Sequence, residues 1–232
     1  MAGHGPVKGK ALETTWGPPD AVTRAPAPQG SWWTFGALCL LSAVPLIAGG
    51  VRLHGLVTGV APAAGHERFV DAPLPVIWHV VGATLFCLLG AAQLAWPARA
   101  RRSRWHRRLG WLALPGGLAA AISGLWMTAL YAIPAELQGP LLQGVRWVVG
   151  TVMVAALVLA LRAARQRRFD AHSAWMVRAY AMGQGAGTQV LMILPLILFT
   201  QTPVGLTRDL LMSAAWLVNA AVAEWVIRKR GH

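Results

Sequence analysis

Six long apolar runs constrain this 232-residue chain more than any other feature of its sequence. A helix needs roughly 20 apolar residues to cross about 30 Å of hydrocarbon, and each run is about that long: 31–52, 74–96, 109–131, 141–161, 174–200 and 207–227. Because 56% of the residues are hydrophobic and only 12% are charged, little sequence remains for a soluble domain. The sequence therefore predicts an all-α fold, an integral membrane bundle of six transmembrane helices.

The positive charges predict how the bundle is oriented. Lysines and arginines concentrate in the N-terminal tail, the second and fourth connections and the C-terminus. The other three connections carry only Arg52, Arg68 and Arg208, and Arg146 lies just inside the fourth span. By the positive-inside rule, both termini and the two basic connections are predicted to face the cytoplasm, where anionic lipid is the expected partner.

Two features that would suggest soluble functions have a simpler explanation here. The formal net charge of +13 comes from cations between the spans, so nucleic acid binding is excluded as the function. Cys39 and Cys87 both fall within apolar spans and are expected to be small buried hydrophobes. Residues 1–30 form a Pro/Gly-rich segment that is predicted to be a disordered cytoplasmic tail, followed by the transmembrane domain over 31–228.

Three histidines lie within spans or at their mouths. His79 is about five residues into the second span, on the outer side, whereas His106 and His172 begin the third and fifth spans at the cytoplasmic side. Each shares a helical face with small residues, which predicts that all three point into the bundle. A rise of about 1.5 Å per residue puts His79 on the order of 20 Å from the other two. Each histidine also has a structural interpretation: capping or lipid contact for His106, a helix-start contact for His172 and an interhelical hydrogen bond for His79.

Glu224 is the only acidic residue well inside a span, and it shares the depth of His106 and His172. Polar groups within spans are costly, so each is a functional candidate. Arg178 is predicted either to pair with Glu224 or to reach lipid phosphates. Asn219 faces away from Glu224 and is expected to form an interhelical hydrogen bond.

Four motifs along the second, third, fifth and sixth spans carry a family resemblance. They are W-H-V-V-G-A with L-G-A-A-Q-L, W-H-R-R-L-G-W (105–111), H-S-A-W-M-V-R-A-Y (172–180) and W-L-V-N-A-A-V-A-E-W (216–225). In order and spacing, from about 74 to 228, the chain resembles the bacterial membrane-protein family named domain of unknown function 2306. The resemblance implies a multi-pass protein of a bacterial plasma (inner) membrane, and it brings no activity. The positions that match the family pattern are His79, Gln93, His106, Arg107, Gly110, His172, Trp175, Met176, Arg178, Asn219 and Glu224.

The first functional hypothesis is a membrane redox protein with haem b as cofactor. His106 and His172 would ligate the iron axially through neutral imidazole nitrogens. Arginines could pair with the propionates. The complete predicted cofactor-binding set is His106, His172, Arg107, Arg178, Trp175 and Met176.

Two further hypotheses use the same polar residues differently. His106, His172 and Glu224 could hold Zn²⁺ or another divalent metal, or relay protons, in a transporter or an intramembrane enzyme. His79 is a further candidate metal ligand, although its depth argues against one shared site. In the last hypothesis the protein binds no cofactor and is a scaffold or assembly factor whose polar residues, including Gln93 and Asn219, hold the bundle together. The sequence leaves open whether the protein is an enzyme.

Overall fold

The computed structural model describes residues 1, 3, 31–60, 67–96 and 103–231 of the chain. All regular structure within these residues is helical: α1 (Trp32–Thr58), α2 (Arg68–Asp71), α3 (Pro73–Ala95), α4 (Arg104–Leu130), α5 (Pro140–Arg165), α6 (Phe169–Gly183), α7 (Gly185–Phe199) and α8 (Gly205–Gly231). Six segments are long and apolar enough to span a membrane, with α6 and α7 together forming one of them. The predicted all-α bundle of six transmembrane helices is confirmed. Nearly all of the predicted N-terminal tail, and every residue of it from 4 to 30, lies outside the described residues.

Several helices extend beyond the apolar runs that predicted them. α1 continues to Thr58, and its end is marked by Gly59, whose φ of 67° is the left-handed conformation that favours glycine. α4 begins at Arg104 because the Ser103 hydroxyl accepts a hydrogen bond from the His106 backbone N–H at 3.1 Å. Residues beyond the apolar runs, charged ones among them, are therefore helical at the ends of these spans.

The spans alternate in direction, so charged residues collect at one end of the bundle. At this basic end α3 and α5 finish, α4 and α6 begin, and α8 finishes with Arg228, Lys229 and Arg230. At the opposite, sparse end α1, α4 and α7 finish and α3, α5 and α8 begin.

Helices α3 and α4 form the most extensive pairing in the bundle. A Cβ atom added at Gly82 would lie 2.6 Å from the Gly116 carbonyl oxygen, so the two backbones are in direct contact there. Close approach through small residues is typical of membrane helix packing. Phe86 and Leu157 fill the core beside this contact.

The fifth span is interrupted at Gln184, midway between α6 and α7. The Gln184 side chain is buried, and its Nε2 atom donates to Tyr180 Oη at 2.7 Å and to Ser42 Oγ at 2.9 Å. Tyr180 Oη in turn donates to the Cys87 carbonyl at 2.9 Å. This polar network joins α1, α3 and the break. Irregular backbone at such a depth is tolerated where it is buried in protein or lines a cavity.

Candidate ligand cavity

A cavity of about 520 Å³ lies inside the bundle and opens toward the sparse end. All eight helices contribute residues to its lining, and the break at Gln184 lies at its inner end. The volume is within the roughly 300–1,000 Å³ of small-molecule sites.

Four arginines line this cavity: Arg52 of α1, Arg68 of α2, Arg146 of α5 and Arg208 of α8. All four are partly buried. They are far apart in the sequence and belong to four different helices, so only the tertiary structure gathers them. Like charges within a membrane-embedded cavity repel one another, and an anion between them would offset the cost of their burial.

Three of these guanidinium groups contact neutral partners. The Arg52 guanidinium lies 4.2 Å from the centre of the Phe69 ring, and Arg208 Nε donates to the Leu137 carbonyl at 3.1 Å. Arg146 Nη1 donates to Gln138 Oε1. Within the described part of the chain, no carboxylate lies within salt-bridge distance of these three groups. The carboxylate of Asp209 attracts Arg146 and Arg208 without forming an ion pair with them, so the positive charge of the cavity is only partly offset.

Asp209 explains why α5 and α8 present their arginines to the same space. Its side chain is buried and accepts hydrogen bonds from the backbone N–H groups of Gly139 at 3.0 Å and Leu142 at 3.1 Å. The carboxylate thus caps the start of α5 and ties it to the N-terminal part of α8. Arg208 and Arg146 extend from the two helices joined in this way.

Tyr131 closes part of the mouth, just beyond the end of α4. Its hydroxyl donates to the Ala72 carbonyl at 2.6 Å, and its ring packs edge-on against Phe69. Burial raises the pKa of Tyr131 above its ordinary value, although Arg68 and Arg52 nearby act in the opposite direction. The hydroxyl therefore stays protonated at neutral pH and remains a donor to α3.

His79 is the histidine that lines this cavity, among the described residues. Its Nδ1 atom lies 2.9 Å from the Ala120 carbonyl of α4. A carbonyl oxygen can only accept, so Nδ1 is the donor in this contact. The predicted interhelical hydrogen bond of His79 is present, and it engages Nδ1 with α4.

The inner part of the cavity is mostly apolar. Its wall includes Pro45, Phe86, Met153 and Met182. Methionine side chains adapt to ligands of different shape. At about 1.5 Å per residue, Arg146 lies some 9 Å along α5 from the sparse end, and Ser42 lies some 24 Å along α1 from the same end. The cavity is therefore elongated, with cations toward its mouth and apolar side chains beyond them.

The two histidines at the basic end occupy different settings from His79. His172 Nδ1 donates to the Ala160 carbonyl of α5 at 2.9 Å, which orients its ring against α5. The carbonyl of His106, in the first turn of α4, accepts a hydrogen bond from Gln93 Nε2 at 3.0 Å. Gln93 thereby joins α3 to α4, as expected for a structural polar residue.

Glu224 forms an ion pair with Arg178. Arg178 Nε lies 2.6 Å from Glu224 Oε1, and Nη2 lies 3.0 Å from Oε2, so both carboxylate oxygens are engaged. The predicted pairing of these two residues is confirmed. Within 31–60, 67–96 and 103–231, no three His, Cys, Asp or Glu side chains lie together as a metal-binding group. His106, His172 and Glu224 therefore do not form such a group in the structure.

The remaining predicted cofactor residues lie around this ion pair or at the start of α4. The Arg178 guanidinium lies 4.7 Å from the centre of the Trp175 ring. Trp175 and Met176 are partly buried against the core cluster. Arg107 is exposed in the first turn of α4.

Asn219 joins α8 to both halves of the broken span. Its Oδ1 accepts from Thr188 Oγ1 at 2.8 Å, and its Nδ2 donates to the Ala181 carbonyl at 3.0 Å. The predicted interhelical role of Asn219 is confirmed.

The cavity arginines were not among the predicted site residues. Part of their signal was present in the sequence, because Arg146 lies inside a span, where a charge is costly, and the other three lie in the connections with few charges. In the sequence these arginines contributed only to the predicted orientation of the bundle in the membrane. Gln184, Gln189 and Ser42 were missed because single polar residues in apolar runs give no indication of which neighbours they meet.

Taken together, six apolar spans around an internal cavity define a polytopic α-helical membrane protein. The chain matches the family model described as "Predicted membrane protein (DUF2306)" over residues 76–227, which is well over half of its length, and it belongs to that family. No curated protein and no solved structure matched the chain. The family match begins within α3, so α1 and its contribution to the cavity lie outside it.

Proposed function

We propose that this protein binds an elongated anionic amphiphile inside the membrane. The observation that carries the proposal is the grouping of Arg52, Arg68, Arg146 and Arg208 around one cavity whose inner wall is apolar. A carboxylate or phosphate would bind between the arginines, and its apolar body would extend past His79 toward the break at Gln184. Arginine is well suited to such anions because its planar guanidinium donates two parallel hydrogen bonds.

A pair of substitutions on one helix tests the proposal. Arg146 lies in the cavity, whereas Arg165 is exposed at the other end of α5. The delipidated protein is titrated with lysophosphatidylglycerol, a single-chain anionic amphiphile, and binding is followed by native mass spectrometry. We expect Arg146→Gln to weaken binding about tenfold, since a charge-assisted hydrogen bond contributes roughly 1.5–3 kcal/mol. Arg165→Gln should bind as the wild type does.

Two results would contradict the proposal. One is the absence of saturable binding by the wild-type protein. The other is an equal loss in both variants, which would point to general attraction between cations and an anionic surface. Lysophosphatidylcholine serves as the probe without net charge and should bind more weakly than lysophosphatidylglycerol.

A second proposal retains haem b as a ligand of His106 and His172. The observation in its favour is the hydrogen bond from His172 Nδ1 to the Ala160 carbonyl, which engages Nδ1 and makes Nε2 the ring nitrogen that would ligate the iron. The purified protein would then show a reduced b-type absorption band that His172→Ala and His106→Ala each abolish. A colourless wild-type protein after expression with haem supplied would exclude it.

A further inference from the structure

A second apolar space lies beside the cavity, on the lipid-facing side of α1 and α3. This outer groove, of about 470 Å³, is lined by apolar side chains and by Gly50 and Thr84. Leu46 and Val80 line both the groove and the cavity, so these two side chains form the partition between them. The two spaces are therefore neighbours.

The groove and the cavity also extend over the same depth. From the sparse end, the groove begins near Leu53, about 8 Å along α1, and reaches Leu88, about 22 Å along α3. The cavity runs over a similar interval from Arg146 to Ser42. Both spaces thus run parallel through one half of the bilayer, beginning near the arginine layer.

Helix α1 permits this arrangement because it is the least buried of the six spans. Only 11% of its most apolar stretch is buried inside the bundle. It crosses α3 closely only where small residues allow it: a Cβ atom at Gly49 would lie 2.9 Å from Val80 Cγ1. Gly50, the next residue, faces open space, since nothing lies within 4 Å of the position of its Cβ atom.

The geometry points to a two-chain anionic lipid as the ligand, with its headgroup at the arginines, one acyl chain in the cavity and the other in the outer groove across Leu46 and Val80. This inference rests on the proposed function and names the class of amphiphile. The positive charge of the arginines favours an anionic headgroup. The two parallel apolar spaces can each hold one acyl chain. A single-chain anion would fill the cavity and leave the groove to bulk lipid.

The test compares one-chain and two-chain probes on variants that alter only the groove. Gly50→Trp places an indole in the groove, and the open space at Gly50 accommodates it. Gly36→Trp is the matched control, because Gly36 is on the same helix, also faces open space and lines neither space. The delipidated proteins are titrated with dioleoylphosphatidylglycerol and with lysophosphatidylglycerol by native mass spectrometry.

We expect Gly50→Trp to weaken binding of the two-chain lipid about fivefold or more and to leave the one-chain lipid unaffected. Gly36→Trp should leave both unchanged. Arg146→Gln should weaken both probes, since they share the headgroup.

The remaining outcomes distinguish the outer groove from the anion-binding cavity. Unchanged binding of the two-chain lipid to Gly50→Trp, with loss in Arg146→Gln, would overturn the groove and keep the anion-binding cavity. Equal losses in Gly50→Trp and Gly36→Trp would also overturn the groove. If neither lipid binds the wild-type protein, the proposed function fails together with this inference.

Discussion

Single polar side chains decide how the middle of this membrane bundle is held together. Gln184 is the clearest case, because its buried amide bonds to both Tyr180 and Ser42 at the break in the fifth span. Polar groups in hydrocarbon have few alternative partners, so satisfied networks of this kind fix one arrangement of helices.

Replacing Gln184 by leucine should destabilise the protein by about 1–3 kcal/mol. The substitution removes two buried hydrogen bonds, although Tyr180 keeps its bond to the Cys87 carbonyl. Thermal unfolding in detergent measures the effect. Gln143→Leu, at an exposed position of α5, is the control and should lie within about 0.5 kcal/mol of the wild type.

The ion pair of Arg178 and Glu224 should contribute much less. Both side chains are partly exposed, with 31% and 41% of their surface accessible. The pair lies one turn from the basic residues that end α8, where lipid headgroups and water screen such pairs to about 1 kcal/mol or less, so Glu224→Gln should shift the unfolding temperature only slightly. Metal content is determined on the same samples. A stoichiometric metal that is lost from Glu224→Gln would instead support the metal site predicted from His106, His172 and Glu224.

At the scale of helices, backbone contact between α3 and α4 carries the packing. The small residues predicted to share a helical face with His79 allow this contact, since Gly82 meets the Gly116 carbonyl of the neighbouring helix. Asp209 plays a comparable part between α8 and α5 by capping the start of α5. These contacts place His79 and two of the arginines around the same cavity.

Gly82→Ala is expected to destabilise the bundle by about 1–3 kcal/mol. The added methyl group would meet backbone atoms of α4, which cannot move aside as a flexible side chain can. Gly144→Ala on α5 is the control, because nothing lies within 4 Å of its Cβ position. There the loss of glycine should be neutral or slightly stabilising. Equal destabilisation in both variants would show that the α3–α4 contact has no special role.

At the scale of the whole molecule, the distribution of cations predicts the orientation in the membrane. Helices of alternating direction bring the basic ends of α4, α5, α6 and α8 to one side, while the cavity opens on the other. With the basic end in the cytoplasm, the cavity mouth would face away from it.

Labelling of single cysteines tests this orientation. In a background with Cys39→Ser and Cys87→Ser, a membrane-impermeant maleimide should label Gln201→Cys in intact bacterial cells. Gln166→Cys, at the exposed basic end, should react only after the membrane is permeabilised. The reverse pattern would invert the predicted topology and place the cavity mouth in the cytoplasm.

The sequence by itself determined the fold class and the six spans, and it predicted the interhelical roles of Asn219 and Gln93. These follow from apolar length and from the cost of polar groups in hydrocarbon, which are local properties of each run. For Arg178 it left two partners open, Glu224 and lipid phosphate, and the structure shows the pair with Glu224.

Only the tertiary structure decided where the arginines of the sparse end meet. Hydropathy and helical periodicity give the depth and the face of a residue, but they do not give the neighbours of a helix or its rotation against them. Arg52, Arg68, Arg146 and Arg208 come from four elements and share a cavity because contacts such as Asp209 with α5 and Gly82 with Gly116 fix those rotations. The candidate site is therefore a property of helix packing, whereas the bundle that contains it is a property of the sequence.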